Sequence, residues 1–188
     1  MLSLFRKSSP ENRFILHGLW PQPKKRVYCG VDRKYITADK YGHWNKLPKV
    51  MLTPETRKEL DRIMPGTLSY LDRHEWIKHG TCYGTDQERY FKDAIALVKQ
   101  VESAGISRFF QQHTGKRVTL KQVRALFDRK FGKGTGKRVE LRCKKGLVTE
   151  LWLHLKGTED DLGMLLKKGK PVHGRCQYGI VDAAGFER

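Results

Sequence analysis

The hexapeptide HEWIKH, at residues 74–79, contains the densest group of reactive side chains in the chain. On a helix, where successive residues are about 100° apart, its four polar residues share one sector while the two apolar residues face elsewhere. We therefore expect His74, Glu75, Lys78 and His79 to line one cavity. Imidazoles suit proton transfer because their unperturbed pKa of about 6.5 is close to neutral pH.

A zinc site is the first alternative for this hexapeptide. The zinc-protease motif HExxH needs two histidines four residues apart, but the fourth residue after His74 is Lys78. Lysine is a poor zinc ligand at neutral pH, so no metal is expected here. Taken alone, the segment is also compatible with a charged surface helix that contains two histidines.

A third histidine, His17, lies inside the apolar segment FILHGLWP, residues 14–21. A histidine in the middle of an apolar strand is usually a core residue. However, Gly18 would let another group approach closely, and Trp20 offers a surface on which a nucleic-acid base can stack.

Together, the two segments closely resemble the two active-site signatures of the ribonuclease T2 family. FILHGLWP is similar to the first signature, and HEWIKHGTC, residues 74–82, is similar to the second. The resemblance covers residues 14–187, including residues 52–66 and 82–91, and points to the bacterial periplasmic, ribonuclease I-like branch of the family.

The resemblance implies an α+β fold in which an antiparallel central sheet packs with several helices. Family members have a signal peptide and then a strand rich in Trp and Cys before the first signature. Only thirteen residues precede Phe14. We therefore expect the N-terminal strand to be missing or replaced.

The resemblance also implies an endoribonuclease that needs no metal or other cofactor, because RNA carries its own nucleophile, the 2′-hydroxyl. The products would be a 2′,3′-cyclic phosphate and then a 3′-phosphate. By resemblance, His79 is the general base and His17 the general acid, Lys78 and Glu75 assist at the phosphorane, and His74 binds phosphate.

Single-stranded RNA is the expected substrate, since its bases can splay out and stack on an aromatic side chain. Trp20 and Tyr28 are the candidate substrate-binding residues. Many family members have an acidic residue directly after the Trp-Pro of the first signature, whereas Gln22 stands here. We therefore infer no base preference.

The period of the apolar residues predicts helices in the first two thirds of the chain and strands at both ends. An irregular segment is expected up to residue 49. The predicted strands are residues 14–20, 137–143, 147–155 and 177–181. Four helices are predicted. Three begin directly after the capping residues Thr53, Asp86 and Thr119, and the fourth covers residues 67–79.

Composition limits the class of protein. The chain has 188 residues and 38 basic against 20 acidic side chains, a formal net charge of +18, and 12 of the basic residues lie within residues 115–145. Hydrophobic residues make up 38%, which favours one folded domain over residues 1–188 and excludes a disordered basic tail. The sequence has no run of about 18 apolar residues, the length that would predict a membrane-spanning helix.

The four cysteines are widely spaced, and no two of them form a CxxC motif. This spacing favours disulfide bonds over a zinc site or free thiols. Sequence alone allows three ways of pairing the four cysteines. Disulfides indicate an oxidising compartment. The family resemblance implies the pairs Cys29–Cys82 and Cys143–Cys176 and a periplasmic or secreted location.

Two other classes of function compete with an enzyme. A non-catalytic basic RNA-binding relative of the same fold would need only the positive surface. A membrane-acting cationic protein would need a sustained apolar face opposite a basic one, which no predicted helix has. We therefore expect RNA, and not a membrane, as the partner. We also expect a monomer.

Overall fold

The computed structural model describes residues 1–5, 13–23 and 25–182. Its packing forms two compact units, residues 17–95 and residues 1–16 with 96–188. One domain over the whole chain stays a prediction, and residues 183–187 of the family resemblance lie outside the described residues. The helices of the described part are α1 (Arg33–Lys40), α2 (Pro54–Ile63), α3 (Leu71–Lys78), α4 (Gln87–Ser103), α5 (Ile106–Gln112), α6 (Leu120–Phe131) and α7 (Leu162–Lys168). Its strands are β1 (Leu2–Phe5), β2 (Ile15–Leu19), β3 (Arg117–Thr119), β4 (Val139–Lys144), β5 (Leu147–Leu153) and β6 (Tyr178–Ile180).

The sheet is centred on β5, which pairs antiparallel with both β1 and β4. Its strand order is β2-β1-β5-β6-β3, with β4 joined to β5 outside this path. Leu151 and Leu153 are fully buried, as the alternating pattern predicts. The α+β class is confirmed. The sheet is mixed and not purely antiparallel, because β5 and β6 pair in parallel through Leu147 and Ile180.

A strand precedes the first signature. β1 pairs along β5, with Leu2 opposite Leu153 and Leu4 opposite Leu151, and both leucines of β1 are fully buried. The strand is the apolar segment LSLF and, unlike the strand that the resemblance implies, contains no Trp or Cys. The expectation that the family's own N-terminal strand is missing or replaced stays a prediction.

In the unit of residues 17–95, α2 begins where its capping signal predicts. The Thr53 hydroxyl accepts a hydrogen bond from the Thr56 backbone N–H, and proline occupies the first turn. Leu60 and Ile63 are buried on one face of this helix. The following helix, α3, carries residues 74–78 of the hexapeptide.

The predicted start of α3 at residue 67 is wrong. Pro65–Ser69 form a 3-10 helix, and Tyr70 has a left-handed backbone with φ 64°, so the α-helix begins only at Leu71. The irregular segment predicted up to residue 49 is also wrong, because it contains α1. The buried residue of α1 is Asp39, so this helix has no apolar stripe by which sequence could reveal it.

Two further helices begin at their predicted caps. The Arg89 backbone N–H donates to the Asp86 carboxylate at the start of α4, and Thr119 and Gln122 form a reciprocal capping box on α6. The short helices α5 and α7 were not predicted. No helix within the described residues is both long and apolar enough to cross a membrane.

Both disulfides are present. Cys29 pairs with Cys82, at a Cα–Cα distance of 5.0 Å, and Cys143 pairs with Cys176, at 5.8 Å. This is the pairing that the family resemblance implies. Each bridge lies within one of the two units.

Candidate active site

The end of β2 and the polar sector of α3 form one cavity of about 270 Å³ within residues 17–95. The structure thus brings both predicted motifs together. The expectation from helical spacing is also met, because the four polar residues of the hexapeptide all reach the cavity while Ile77 is buried elsewhere. The cavity is lined by His17, Trp20, Pro21, Val27, His74, Glu75, Lys78 and His79.

Gly18 allows the two motifs to approach each other. A Cβ atom at this position would overlap the Glu75 carboxyl group and the Trp20 indole nitrogen. The sequence expectation that this glycine permits a close approach is therefore met, and the approaching group is the Glu75 carboxyl.

The Trp20 indole contacts two imidazoles. Its ring centroid lies 4.9 Å from that of His17, edge to face, and 5.3 Å from that of His79, tilted by 31°. Trp20 also donates a hydrogen bond from Nε1 to Glu75 Oε2, at 2.8 Å. The indole therefore holds the two imidazoles and the carboxyl in fixed relative positions, and its predicted stacking on a base stays a prediction.

His79 is only 9% exposed. Burial, followed by the positive charges of Lys78, His74 and His17, lowers the pKa of His79 to about 3. Burial is the largest of these causes. At neutral pH the imidazole is uncharged and can accept a proton.

Glu75 lines the cavity and is fully buried. Burial raises the pKa of Glu75 to about 8, and outweighs the hydrogen bond from Trp20 and the charge of Lys78. Among the described residues, no group hydrogen-bonds its Oε1 atom, which lies 3.8 Å from His17 Nε2 and 3.9 Å from His74 Nε2. Since Oε2 accepts from the indole, a protonated Glu75 carries its proton on Oε1, directed toward the imidazoles.

The sequence profile of the Ribonuclease T2 family matches residues 3–164. The chain belongs to the ribonuclease T2 family. The resemblance carried by the two histidine motifs is thus confirmed, and with it the assignment as a T2-type endoribonuclease.

The chain is also similar to individual ribonucleases of the family, in sequence and in structure. Ribonuclease I from Escherichia coli (strain K12) is 28% identical over 91% of this chain and 72% of its own length, in agreement with a bacterial branch. Ribonuclease T2 from Aspergillus oryzae is 27% identical over 77% of this chain and 57% of its own length. The crystal structure of Actibind, a T2 ribonuclease, superposes with a TM-score of 0.58 at 18% identity, covering 99% of this chain and 87% of that one. This structural likeness supports the T2 fold.

Sequence reasoning missed Asp39 of α1. It is 5% exposed, and its Oδ1 atom lies 2.6 Å from His74 Nδ1. Burial acts to raise the pKa of Asp39, but hydrogen bonds from His74 and Tyr28 outweigh it, and the pKa lies below its ordinary value. Trp44 was missed as well; its ring stacks on His74 at 4.5 Å. Neither residue belongs to a motif, so only the folded chain identifies them.

The structure gives Tyr28 a different environment from the one predicted. Its hydroxyl donates to Asp39 Oδ2 at 2.7 Å, and its backbone N–H donates to the Lys78 carbonyl at 3.0 Å. Tyr28 is not among the residues that line the cavity. Burial and the hydrogen bond to Asp39 raise its pKa, so the hydroxyl stays protonated. These contacts place Tyr28 where it can position His74 through Asp39, and its predicted binding of a base stays a prediction.

Within the described residues, His74, Glu75 and His79 form a group that could hold a metal ion, with one ligand atom of each within 4.8 Å of the others. Glu75 would have to lose a proton in a fully buried position to coordinate a cation. With His74 paired to Asp39 and Lys78 in the same cavity, the site suits an anion better. The expectation of a metal-independent site stays a prediction.

Proposed function

We propose that this T2-type endoribonuclease cleaves single-stranded RNA in the cavity between β2 and α3, by attack of the 2′-hydroxyl on the adjacent phosphate. One observation carries the proposal: His17 and His79 contact the same indole, Trp20, on the wall of a cavity that also contains Lys78. Two imidazoles in one cavity can supply the base and the acid that the reaction needs.

The first step moves one proton at each end of the reaction. His79, uncharged because its pKa is lowered to about 3, accepts the proton of the 2′-hydroxyl. The 2′-oxygen bonds to phosphorus, the bond from phosphorus to the 5′-oxygen breaks, and protonated His17 donates to the departing 5′-oxygen. The product is a 2′,3′-cyclic phosphate. A water molecule then opens the ring with the two roles exchanged, and leaves a 3′-phosphate.

Charge that develops on the non-bridging oxygens needs donors in place beforehand. Lys78 supplies a cation. Glu75, with a pKa raised to about 8, supplies an O–H donor from Oε1 at neutral pH. His74, held through Nδ1 by Asp39, presents Nε2 as a further donor to phosphate.

The two disulfides support a periplasmic or secreted location, since such bonds persist in oxidising compartments. A monomer is sufficient for the proposed activity, because one chain supplies every side chain that lines the cavity. Because exposed Gln22, and not an acidic residue, follows the first motif, we assign no particular base as the preferred one.

The test is cleavage of a single-stranded RNA oligonucleotide in excess EDTA, with the all-deoxy oligonucleotide as a substrate control. We expect the RNA to be cut and the DNA to be spared. His17→Ala and His79→Ala should each lose at least about 1000-fold in kcat/KM. His43→Ala, at an exposed histidine outside the cavity, is the matched control and should retain activity.

Three results would contradict the proposal. Full activity in both histidine variants would remove the assigned roles. Activity abolished by EDTA would favour a metal at His74, Glu75 and His79. RNA that is bound but never cut, over a range of pH, would favour a non-catalytic RNA-binding relative.

A further inference from the structure

Two shallow grooves of the unit formed by residues 1–16 and 96–188 meet at Gln177, which lines both. The larger has a volume of about 570 Å³ and follows the Cys143–Cys176 disulfide, and the smaller has a volume of about 330 Å³. We call the two grooves together the Gln177 surface. Its polar side chains include Lys121, Lys137, Arg142, Arg175, Gln177 and Tyr178.

The Gln177 surface is strongly basic. Lys121, Lys137 and Arg175 are exposed, and no carboxylate of the described residues forms an ion pair with them. Asp128 lines the smaller groove, but its carboxylate accepts a hydrogen bond from the Gly136 backbone N–H at 2.7 Å. The surface therefore favours a polyanion.

Not every basic residue of the 115–145 segment has its donor groups available for phosphate. The Arg124 guanidinium donates to the backbone carbonyls of Val139 and Val172, and Arg138 likewise bonds backbone carbonyls. These two arginines hold the fold together. The structure thus separates structural arginines from the exposed cations, which the sequence could not do.

Tyr178 gives the surface an aromatic platform. Its side chain is 59% exposed, and the Arg117 guanidinium lies 4.8 Å from its ring centroid. β6 holds the residue in place, since Tyr178 pairs with Thr119 of β3 and Gly179 packs on the Cys143 sulfur. Proteins that bind single-stranded nucleic acids use exposed aromatic rings, with arginines nearby, as surfaces on which the bases stack.

We propose that the Gln177 surface is a second RNA-binding site, separate from the cavity that contains the histidines. Lys121, Lys137 and Arg175 bind the phosphates of a single strand, and one base stacks on Tyr178. The choice of RNA rests on the proposed function. The combination of an aromatic platform with cations favours a nucleic acid over an anionic membrane, which would need cations only.

The test measures binding without cleavage. A fluorescein-labelled 2′-O-methyl RNA of about 15 nucleotides cannot be cut, since its 2′-oxygen is blocked, and its affinity is read by fluorescence anisotropy at several salt concentrations. The double variant Lys137→Gln/Arg175→Gln should raise Kd about tenfold and lower the slope of log Kd against log salt by about 1 to 2. The matched control, Lys99→Gln/Arg108→Gln, removes two charges outside the grooves and should change Kd less than about twofold.

Base stacking is tested separately. Tyr178→Ala should weaken binding about fivefold or more, while Tyr178→Phe, which keeps the ring, should bind like the wild type. All of these variants should cleave a dinucleotide at the wild-type rate, because a dinucleotide is too short to occupy a second site.

The proposal is overturned if the double variant binds no more weakly than the control pair, or if Tyr178→Ala binds like the wild type. The proposal is also overturned, in favour of a membrane surface, if the double variant loses the wild-type protein's binding to phosphatidylglycerol vesicles but keeps its affinity for RNA. The cleavage and binding results are independent. A protein that never cuts RNA but depends on Tyr178 to bind it would refute the proposed function alone.

Discussion

Asp39 Oδ1 and His74 Nδ1 lie 2.6 Å apart, and Asp39 is almost fully buried. A carboxylate can only accept, so Nδ1 of His74 carries a proton and Nε2 faces Glu75 and the cavity. Tyr28 holds the second oxygen of the same carboxylate. A helix without any motif thus orients a residue of the second histidine signature.

Substitution of Asp39 tests this arrangement. Asp39→Asn should lower kcat/KM for RNA about tenfold to a hundredfold, because a neutral amide no longer holds the Nδ1 proton of His74 while Nε2 donates to phosphate. Tyr28→Phe, which removes one hydrogen bond to Asp39, should have a smaller effect. The measurement is steady-state kinetics on a dinucleotide, with thermal unfolding followed by circular dichroism.

The control for Asp39 is Asp32→Asn. Asp32 precedes the same helix, forms no side-chain cap, and its side chain is 72% exposed. Equal activity in the Asp39 and Asp32 variants would show that Asp39 does not position His74.

Gly18→Ala should disrupt the site by steric overlap. The added Cβ would overlap the Glu75 carboxyl and the Trp20 nitrogen, so we expect a loss of about 1–3 kcal/mol in the free energy of unfolding and at least about tenfold in kcat/KM. The double variant Gly18→Ala/Glu75→Ala removes the overlap with the Glu75 carboxyl, although that with the Trp20 nitrogen remains. It should be more stable than the sum of the two single variants predicts, measured by urea unfolding. Additive losses would place the strain elsewhere.

The pKa values of Glu75 and His79 predict opposite dependences of stability on pH. Glu75 keeps its proton in the folded state up to about pH 8 but loses it near 4.5 when unfolded, so its contribution falls as pH rises across this range. His79 stays neutral down to about pH 3 but binds a proton below 6.5 when unfolded, so its contribution rises with pH from about 3 to 6.5. Between 4.5 and 6.5 the two effects oppose each other, and above 6.5 only the Glu75 effect remains.

Urea unfolding at a series of pH values can separate these two groups. From pH 6.5 to about 8, the free energy of unfolding of the wild type should fall relative to Glu75→Gln by up to about 1.4 kcal/mol per pH unit. Below pH 4.5, the wild type should lose stability relative to His79→Gln as the pH falls. A constant difference between wild type and Glu75→Gln above pH 6.5 would mean that Glu75 is already ionised.

The Cys29–Cys82 disulfide should matter for activity as well as for stability. Its loop spans 53 residues, and opening it by Cys29→Ser/Cys82→Ser should cost about 4 kcal/mol in the free energy of unfolding. Since Tyr28, next to Cys29, bonds both Asp39 and the Lys78 carbonyl, cleavage of a dinucleotide should slow as well.

The second disulfide provides the control for the first. Cys143→Ser/Cys176→Ser opens a loop of 33 residues and should cost a similar amount of stability, yet the bridge does not line the histidine cavity. Under conditions in which both variants are folded, only the first pair should show slower dinucleotide cleavage. Equal activity in the two variants would show that the Cys29–Cys82 disulfide does not support the geometry of the active site.

Apart from Val27, the residues that line the cavity could be predicted because they lie in two short motifs, and helical spacing placed four of them on one face. Caps at Thr53, Asp86 and Thr119 likewise gave correct helix starts. What sequence missed depends on contacts between distant residues. Asp39 is buried by residues far along the chain, and no local pattern distinguishes it from an exposed aspartate.

Backbone geometry explains the other differences. The left-handed Tyr70 delays α3, although no glycine or asparagine marks this position. The parallel contact of β5 with β6 depends on how the chain after α7 returns to the sheet, which alternation of apolar residues does not specify.

The central claim is that His79 removes the 2′-hydroxyl proton and His17 protonates the leaving 5′-oxygen. A dinucleotide whose bridging 5′-oxygen is replaced by sulfur tests it most directly, because a thiolate leaves without general-acid assistance. With this substrate, in EDTA, His17→Ala should cleave at close to the wild-type rate, while His79→Ala should stay at least about 100-fold slower. Rescue of His79→Ala in place of His17→Ala, or of neither variant, would contradict the assignment.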